Sequence, residues 1–290
     1  MKLLDKIYFL GGGNMAEALI HSVEDTPYFK HIVVIEKADN RRKALIQRYP
    51  NLKVQAYLED VVRSEDVLLI AVKPQDSAQA LRHLKIQHPL VLSIVAGLSI
   101  SILKHQLQLK DTSRIIRVMP NLPCIVKEGI HGLYAEPELM KKDKVIVEEL
   151  LNHSGSCLWV VSEEVLHIVT AISGSGPGYV FFFMNALLQA AKQLKLEPSE
   201  ARKLIEKTLL GATKLAQVTP DCTLEELQQK VTSPQGTTHA ALQVFESYDM
   251  ASIIKKGIHA SADRSKAITE ELENSPSTTQ VPHPSLKNTS

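Results

Sequence analysis

IYFLGGGNMAEALIHSV, residues 7–23, runs from an apolar stretch through consecutive glycines into a helix-like pattern. Ile7–Leu10 reads as a buried strand and Met15–Val23 as a helix. Between them, Gly11, Gly12, Gly13, Asn14, Met15 and Ala16 fit G-x-G-x-x-G/A in the strand–turn–helix context that gives the pattern its meaning. Gly11 permits the tight turn, Gly13 lets the backbone approach a pyrophosphate, and Ala16 keeps the helix near the strand. Free N–H groups and the helix dipole favour the anion. The plainer alternative is a glycine-rich turn that binds nothing.

The first half continues in alternation. His31–Ile35 reads as a strand and Asn40–Tyr49 as a helix. Val54–Ala56 reads as a short strand, and Asp60–Val62 as a short helix. Val67–Val72, Leu90–Val95, Ile115–Met119 and His131–Tyr134 follow as strands. Continuous apolar strands between helical patterns predict a doubly wound parallel sheet, a Rossmann-like domain over 1–162. Beyond 162 the texture changes. Glu163–Ile172, Tyr179–Leu194, Ser199–Val218, Thr223–Val231, Thr238–Tyr248 and Ala251–Leu272 read as helices, and no strand is evident. Thr223-Leu-Glu-Glu226 is a capping-box pattern. The fold class is therefore α/β, with an all-helical C-terminal domain over 163–274. Residues 275–290, rich in Ser, Thr and Pro, read as a disordered tail.

Composition narrows the function. The chain has 290 residues and a formal net charge of +1, so no imbalance points to nucleic acid or to a membrane surface. The N-terminus shows no secretory pattern, and no apolar run approaches the ~18 residues of a membrane span. The cysteines, Cys124, Cys157 and Cys222, are odd in number and widely spaced, which favours a reducing, cytoplasmic setting. No metal is expected. Apolar stripes such as YVFFFMNALLQAA, from Tyr179, imply burial against the first domain or a second subunit.

Candidate site residues gather at strand ends. Glu36 ends the second strand, about 20 residues beyond the glycines, where a carboxylate accepts the ribose hydroxyls of NAD and repels the extra phosphate of NADP. Lys37, Arg41 and Arg42 follow and could pair with that phosphate, so the choice stays open. AVKPQ, from Ala71, and VAGLS, from Val95, end two further strands. In the second half SGSGPGY, from Ser173, and SPQGTTH, from Ser233, offer hydroxyls and backbone N–H groups ahead of helices. Such a turn can hold a carboxylate through charge-assisted bonds worth about 1.5–3 kcal/mol each. Helix capping is the plain alternative for both.

Together with RVMPNLP from Arg117 and KEGIHGLY from Lys127, these stretches run in one order along nearly the whole chain. In this the sequence resembles pyrroline-5-carboxylate reductase. The resemblance implies NADPH, or NADH, as hydride donor and 1-pyrroline-5-carboxylate as substrate. It implies a helical domain that interlocks in a homodimer, with a decameric ring of dimers as a higher assembly. By position, Gly11, Gly13, Asn14, Met15 and Ala16 match the pyrophosphate loop. Val72, Lys73, Pro74, Ala96 and Gly97 match the cofactor crevice, and Met119, Pro120 and Asn121 lie near the nicotinamide. Ser233, Gly236, Thr237 and Thr238 match the turn holding the substrate carboxylate, with Thr238 near the ring nitrogen.

Four positions depart from the family pattern. Gln235 stands for the first glycine of the usual S-P-G-G, and strain is expected if φ is positive there. Gly178 stands for alanine, Leu122 for threonine, and Asp221 where some members have glutamate. Two other readings remain on the residues: a β-hydroxyacid dehydrogenase, which needs a lysine or histidine facing the nicotinamide, and a dinucleotide-binding sensor without turnover. In the helix after SGSGPGY the one lysine, Lys192, comes late. A protonated imine already carries the charge that hydride neutralises, so it needs orientation more than a strong acid.

Overall fold

A computed structural model describes residues 4–82, 84–109 and 114–275. The tail 276–290 lies outside them. The first strands form on apolar runs. β1 (Ile7–Leu10), β2 (Ile32–Ile35), β4 (Val67–Ile70) and β5 (Leu90–Ser93) are buried along their whole length. With β3 (Lys53–Gln55), β6 (Ile115–Met119), β7 (Gly129–Tyr134) and β8 (Gly155–Trp159) they make an eight-stranded sheet of order β3-β2-β1-β4-β5-β6-β7-β8. All pairings are parallel except β6 with β7. Alternate residues face opposite sides. Ile7 and Phe9 enter one apolar cluster and Tyr8 and Leu10 the other, so helices must cover both faces.

The covering helices are α1 (Asn14–Ser22), α2 (Asp39–Arg48), α3 (Ser77–Leu81), α4 (Ile100–Leu107) and α5 (Lys141–Leu151). The sequence reading missed α3, α4, α5 and β8. In α5 the buried face includes Asp143 beside Val147, Leu150 and Leu151, so a charge interrupts the apolar stripe. Asp143 is fully buried and accepts two bonds from Arg114, from Nε at 3.0 Å and Nη2 at 2.6 Å. β8 is an edge strand with alternating exposure, hence no apolar run. The expected helix Asp60–Val62 is instead extended. Buried Val62 bridges Ile86 in parallel, with N–H bonds at 2.9 Å to Lys85 and 2.7 Å from Gln87.

By contacts, the described residues up to Ser175 and from Ser261 onward form one unit, and Gly176–Ala260 a second. The first unit thus reaches past 163. Glu163 Oε1 accepts from Arg117 Nη1 at 3.0 Å and from the Ile100 N–H at 2.8 Å. In α6 (Val165–Val169), His167 Nδ1 lies 2.9 Å from Ser265 Oγ. A π-helical turn, Thr170–Gly174, follows.

The second unit is helical: α7 (Gly176–Gln193), α8 (Pro198–Val218), α9 (Leu224–Lys230), α10 (Thr237–Ser247) and the start of α11 (Met250–Glu273). Thr223 closes the predicted capping box with Glu226. α7 packs on α8 yet buries no residue, and Phe181 and Phe182 are 62% and 79% exposed. Val165–Gln193 is long and apolar enough to cross a membrane by length and composition alone, although no uninterrupted apolar run within it approaches ~18 residues.

Candidate active site

The strand order reverses between β1 and β4, and in open parallel sheets the ligand crevice lies outside the carboxyl ends at such a reversal. The structure brings the cofactor-side candidates to that edge. Gly11 through Ala16 follow β1, Glu36 and Lys37 follow β2, Val72, Lys73 and Pro74 lie just beyond β4, Ala96 and Gly97 just beyond β5, and Met119 ends β6 with Pro120 and Asn121 just beyond it.

The glycine loop has its shape for local reasons. Gly11 has φ 103°, and a Cβ there would sit 2.7 Å from the Ala71 carbonyl oxygen, so only glycine fits. A Cβ on exposed Gly13 would meet nothing within 4 Å, which leaves the loop open on the side where a pyrophosphate would approach. Gly13 precedes the first turn of α1, whose N–H groups have no intrahelical partner. Below, Met15 Sδ lies 3.8 Å from the Cys124 Sγ, a buried thiol whose pKa burial pushes up to about 11. These features fit a dinucleotide.

Glu36 does not point away to solvent. Its Oε2 accepts the Gly12 N–H at 2.9 Å and its Oε1 the Ala38 N–H at 2.8 Å. Arg41 and Arg42 are engaged locally. Arg41 Nε donates to the Gly12 carbonyl at 2.6 Å and its Nη2 to the Glu17 carboxylate. Arg42 donates to the Glu36 and Lys37 carbonyls at 2.9 and 2.6 Å and to Asp39 at 2.9 Å. Lys37 and Lys73 are exposed.

Gly97 has a reason the sequence reading did not supply. A Cβ there would lie 2.6 Å from Ile268 Cγ2, so α11 packs directly on this strand end. Nothing local to Gly97 signals a helix so distant in sequence. Met119 lies over Gly174, whose Cβ would come 2.7 Å from the Met119 Cε. Asn121 Nδ2 donates to the Ser173 carbonyl at 3.3 Å, and its Oδ1 accepts the Ile130 N–H at 3.0 Å. Asn121 thus ties the β6 end to the π-turn, a feature frequent at functional sites.

Ser233, Gly236, Thr237 and Thr238 lie in the second unit, at the turn opening α10. The Gly236 N–H donates to the Ser233 carbonyl at 3.0 Å. Pro234 and Gln235 occupy the central turn positions, and Gln235 has φ 60°, the left-handed region foreseen as a source of strain. A Cβ on Gly236 would lie 2.3 Å from Ser233 Oγ, so the serine hydroxyl sits against that glycine. Thr237 and Thr238 are exposed at the N-terminus of the helix.

Comparison with known proteins agrees with this arrangement. A model described as pyrroline-5-carboxylate reductase dimerisation matches residues 163–268, and one described as NADP oxidoreductase, coenzyme F420-dependent, matches 6–97. The pyrroline-5-carboxylate reductase of Pasteurella multocida is 38% identical over 266 residues, covering 90% of this chain and 96% of its own length. The chain belongs to the pyrroline-5-carboxylate reductase family. The Haemophilus influenzae reductase is 32% identical, covering 90% of this chain and 96% of its own. The Coxiella burnetii reductase structure superposes with TM-score 0.79 at 32% identity, covering 92% of this chain and 99% of that one. A Plasmodium falciparum pyrroline carboxylate reductase with NADP bound gives TM-score 0.79 at 26% identity over 91% of this chain and 99% of that one. Enzymes of this family are NAD(P)H-dependent oxidoreductases of proline biosynthesis, and the dimerisation domain makes the protein a homo-oligomer. The apolar exposure of α7 fits a helix that another subunit covers.

Proposed function

We propose that this chain reduces the C=N bond of 1-pyrroline-5-carboxylate, giving L-proline, and that the residues named above divide the work. Gly11, Gly12, Gly13, Asn14, Met15 and Ala16 hold the pyrophosphate through backbone N–H groups and the α1 dipole. Glu36 and Lys37 flank the adenosine ribose. Val72, Lys73, Pro74, Ala96, Gly97, Met119, Pro120 and Asn121 line the crevice toward the nicotinamide. When bound, the reduced nicotinamide supplies the hydride that becomes the new C5–H bond. Ser233, Gly236, Thr237 and Thr238 grip the substrate carboxylate, and the Thr238 hydroxyl bonds the ring nitrogen. The protonated imine becomes a neutral amine on gaining hydride, so no strong general acid is required and orientation carries the rate.

The observation that supports this most is the convergence of the cofactor-side motifs on the carboxyl edge of one sheet, in a chain of this family. We also read the assembly as a homodimer, with a ring of dimers above it, and the compartment as cytoplasm, which the free cysteines favour. The test is oxidation of NADPH or NADH by purified protein with racemic pyrroline-5-carboxylate, followed by nicotinamide absorbance and proline formation. Turnover of a β-hydroxyacid in place of the imine, or cofactor binding with turnover of neither, would overturn it.

A further inference from the structure

The dinucleotide reading leaves one question at the end of β2: which of two nicotinamide cofactors the chain selects. Resting on that reading, we propose that Glu36 makes this enzyme select NADH over NADPH. Hydrogen-bond donors and acceptors decide the choice. An ionised carboxylate only accepts hydrogen bonds and offers about four lone-pair sites. Glu36 spends part of that capacity on the Gly12 and Ala38 N–H groups, one on each oxygen. Those two bonds fix the carboxylate at the rim of the glycine loop, and its remaining lone pairs suit the two hydroxyls of an unmodified adenosine ribose. A 2′-phosphate there would be an acceptor facing an acceptor, and a negative charge facing another.

The nearby cations do not reverse this. Each guanidinium already has a carboxylate and a backbone carbonyl as partners: Arg41 with Glu17 and Gly12, Arg42 with Asp39 and the Glu36 and Lys37 carbonyls. Arg42 in particular holds the carbonyl of Glu36 itself. For either to meet a phosphate it must leave bonds that shape the β2–α2 turn. Exposed Lys37 remains, and a solvated lysine contributes little. Selection by Glu36 would set this chain apart from the Plasmodium falciparum neighbour, which is described with NADP bound.

The experiment measures binding without the imine, so its result is independent of whether the enzyme turns that substrate over. Dissociation constants for NADH and NADPH, and for 5′-AMP and adenosine 2′,5′-bisphosphate, are measured by calorimetry on the intact oligomer. NADH should bind about tenfold or more tightly than NADPH, and 5′-AMP should likewise win over the bisphosphate. Glu36→Gln, which keeps the shape and an acceptor, should bring both ratios to within about threefold of unity, and Glu36→Ser should favour the 2′-phosphate. Thermal unfolding of each variant confirms that the turn still folds. Equal or tighter binding of NADPH by the unaltered protein, or ratios that Glu36→Gln leaves in place, would overturn the proposal. An enzyme that reduces the imine but prefers NADPH would sink this inference and leave the proposed function standing.

Discussion

Replacing Gln235 by glycine should stabilise the protein, although it removes a side chain and adds none. Gln235 has φ 60° in the turn closed by the Gly236 N–H and the Ser233 carbonyl. A residue with a Cβ pays about 1–2 kcal/mol in that conformation, which glycine does not. Glycine in turn frees the unfolded chain, at a cost of about 0.5–1 kcal/mol. The Gln235 side chain is exposed, so little burial is lost. The balance is a gain of about 0.5–1 kcal/mol. Urea unfolding at fixed protomer concentration measures it, because an oligomer's stability depends on concentration. Gln235→Ala is the control that isolates the cause: it trims the side chain but keeps the Cβ, so it should gain nothing. Gln235→Asn should recover part of the gain, since asparagine tolerates this region better. Equal stabilisation by alanine and glycine, or a loss with glycine, would refute the strain argument.

Three more outcomes follow from particular contacts. His131 is fully buried; Ser154 Oγ donates to the Leu151 carbonyl and so accepts from His131 Nε2 at 2.8 Å, while Nδ1 meets no partner among the described residues. Burial pushes its pKa from 6.5 down to about 4, so the unfolded chain takes up a proton that the fold refuses. Stability is then whole above pH 6.5 and falls toward pH 4, by roughly 3 kcal/mol from this group, and His131→Gln should flatten that slope in denaturation measured across pH. Arg114→Ala strands the fully buried Asp143 carboxylate and should cost about 3–5 kcal/mol, whereas Arg114→Met with Asp143→Leu should cost clearly less, as chemical denaturation would show. Thr238→Ala should raise KM for the imine or lower kcat by about tenfold with unfolding unchanged, and unaltered kinetics would remove Thr238 from the site.

What the sequence made legible follows from what fixes each element. β1, β2, β4 and β5 are buried on both faces, so each strand stands on a continuous apolar run, and Gly11 after β1 stands where a Cβ meets the Ala71 carbonyl. Those signals are local. β8 and α5 owe their places to partners far along the chain, an edge pairing with β7 and a buried ion pair with Arg114, and neither leaves an uninterrupted pattern. The π-turn, which spans the end of the expected helix Glu163–Ile172 and the start of the expected turn at Ser173, was not foreseen for the same reason. Its surroundings come from Asn121 and Met119, which no periodicity within Thr170–Gly174 records.

The same distinction bears on the chemistry. The groups that burial shifts furthest toward neutrality are His131, Cys124 and Cys157, the two thiols pushed up to about 11. All three sit in or against the core of the sheet domain, where a shift marks a group kept uncharged rather than one poised to exchange protons. At the crevice edge the contributors are of another kind: main-chain N–H groups, a methionine packed over Gly174 and an asparagine with both amide ends committed to backbone. Those groups can position and exclude water, and among the crevice residues named only exposed Lys73 carries an ammonium that could protonate a developing alkoxide. Such an edge suits an acceptor that arrives with its own positive charge. A carbonyl substrate would demand an acid there, so a β-hydroxyacid dehydrogenase would have to recruit Lys73, a demand the imine does not make, and the chain's relatives point the same way.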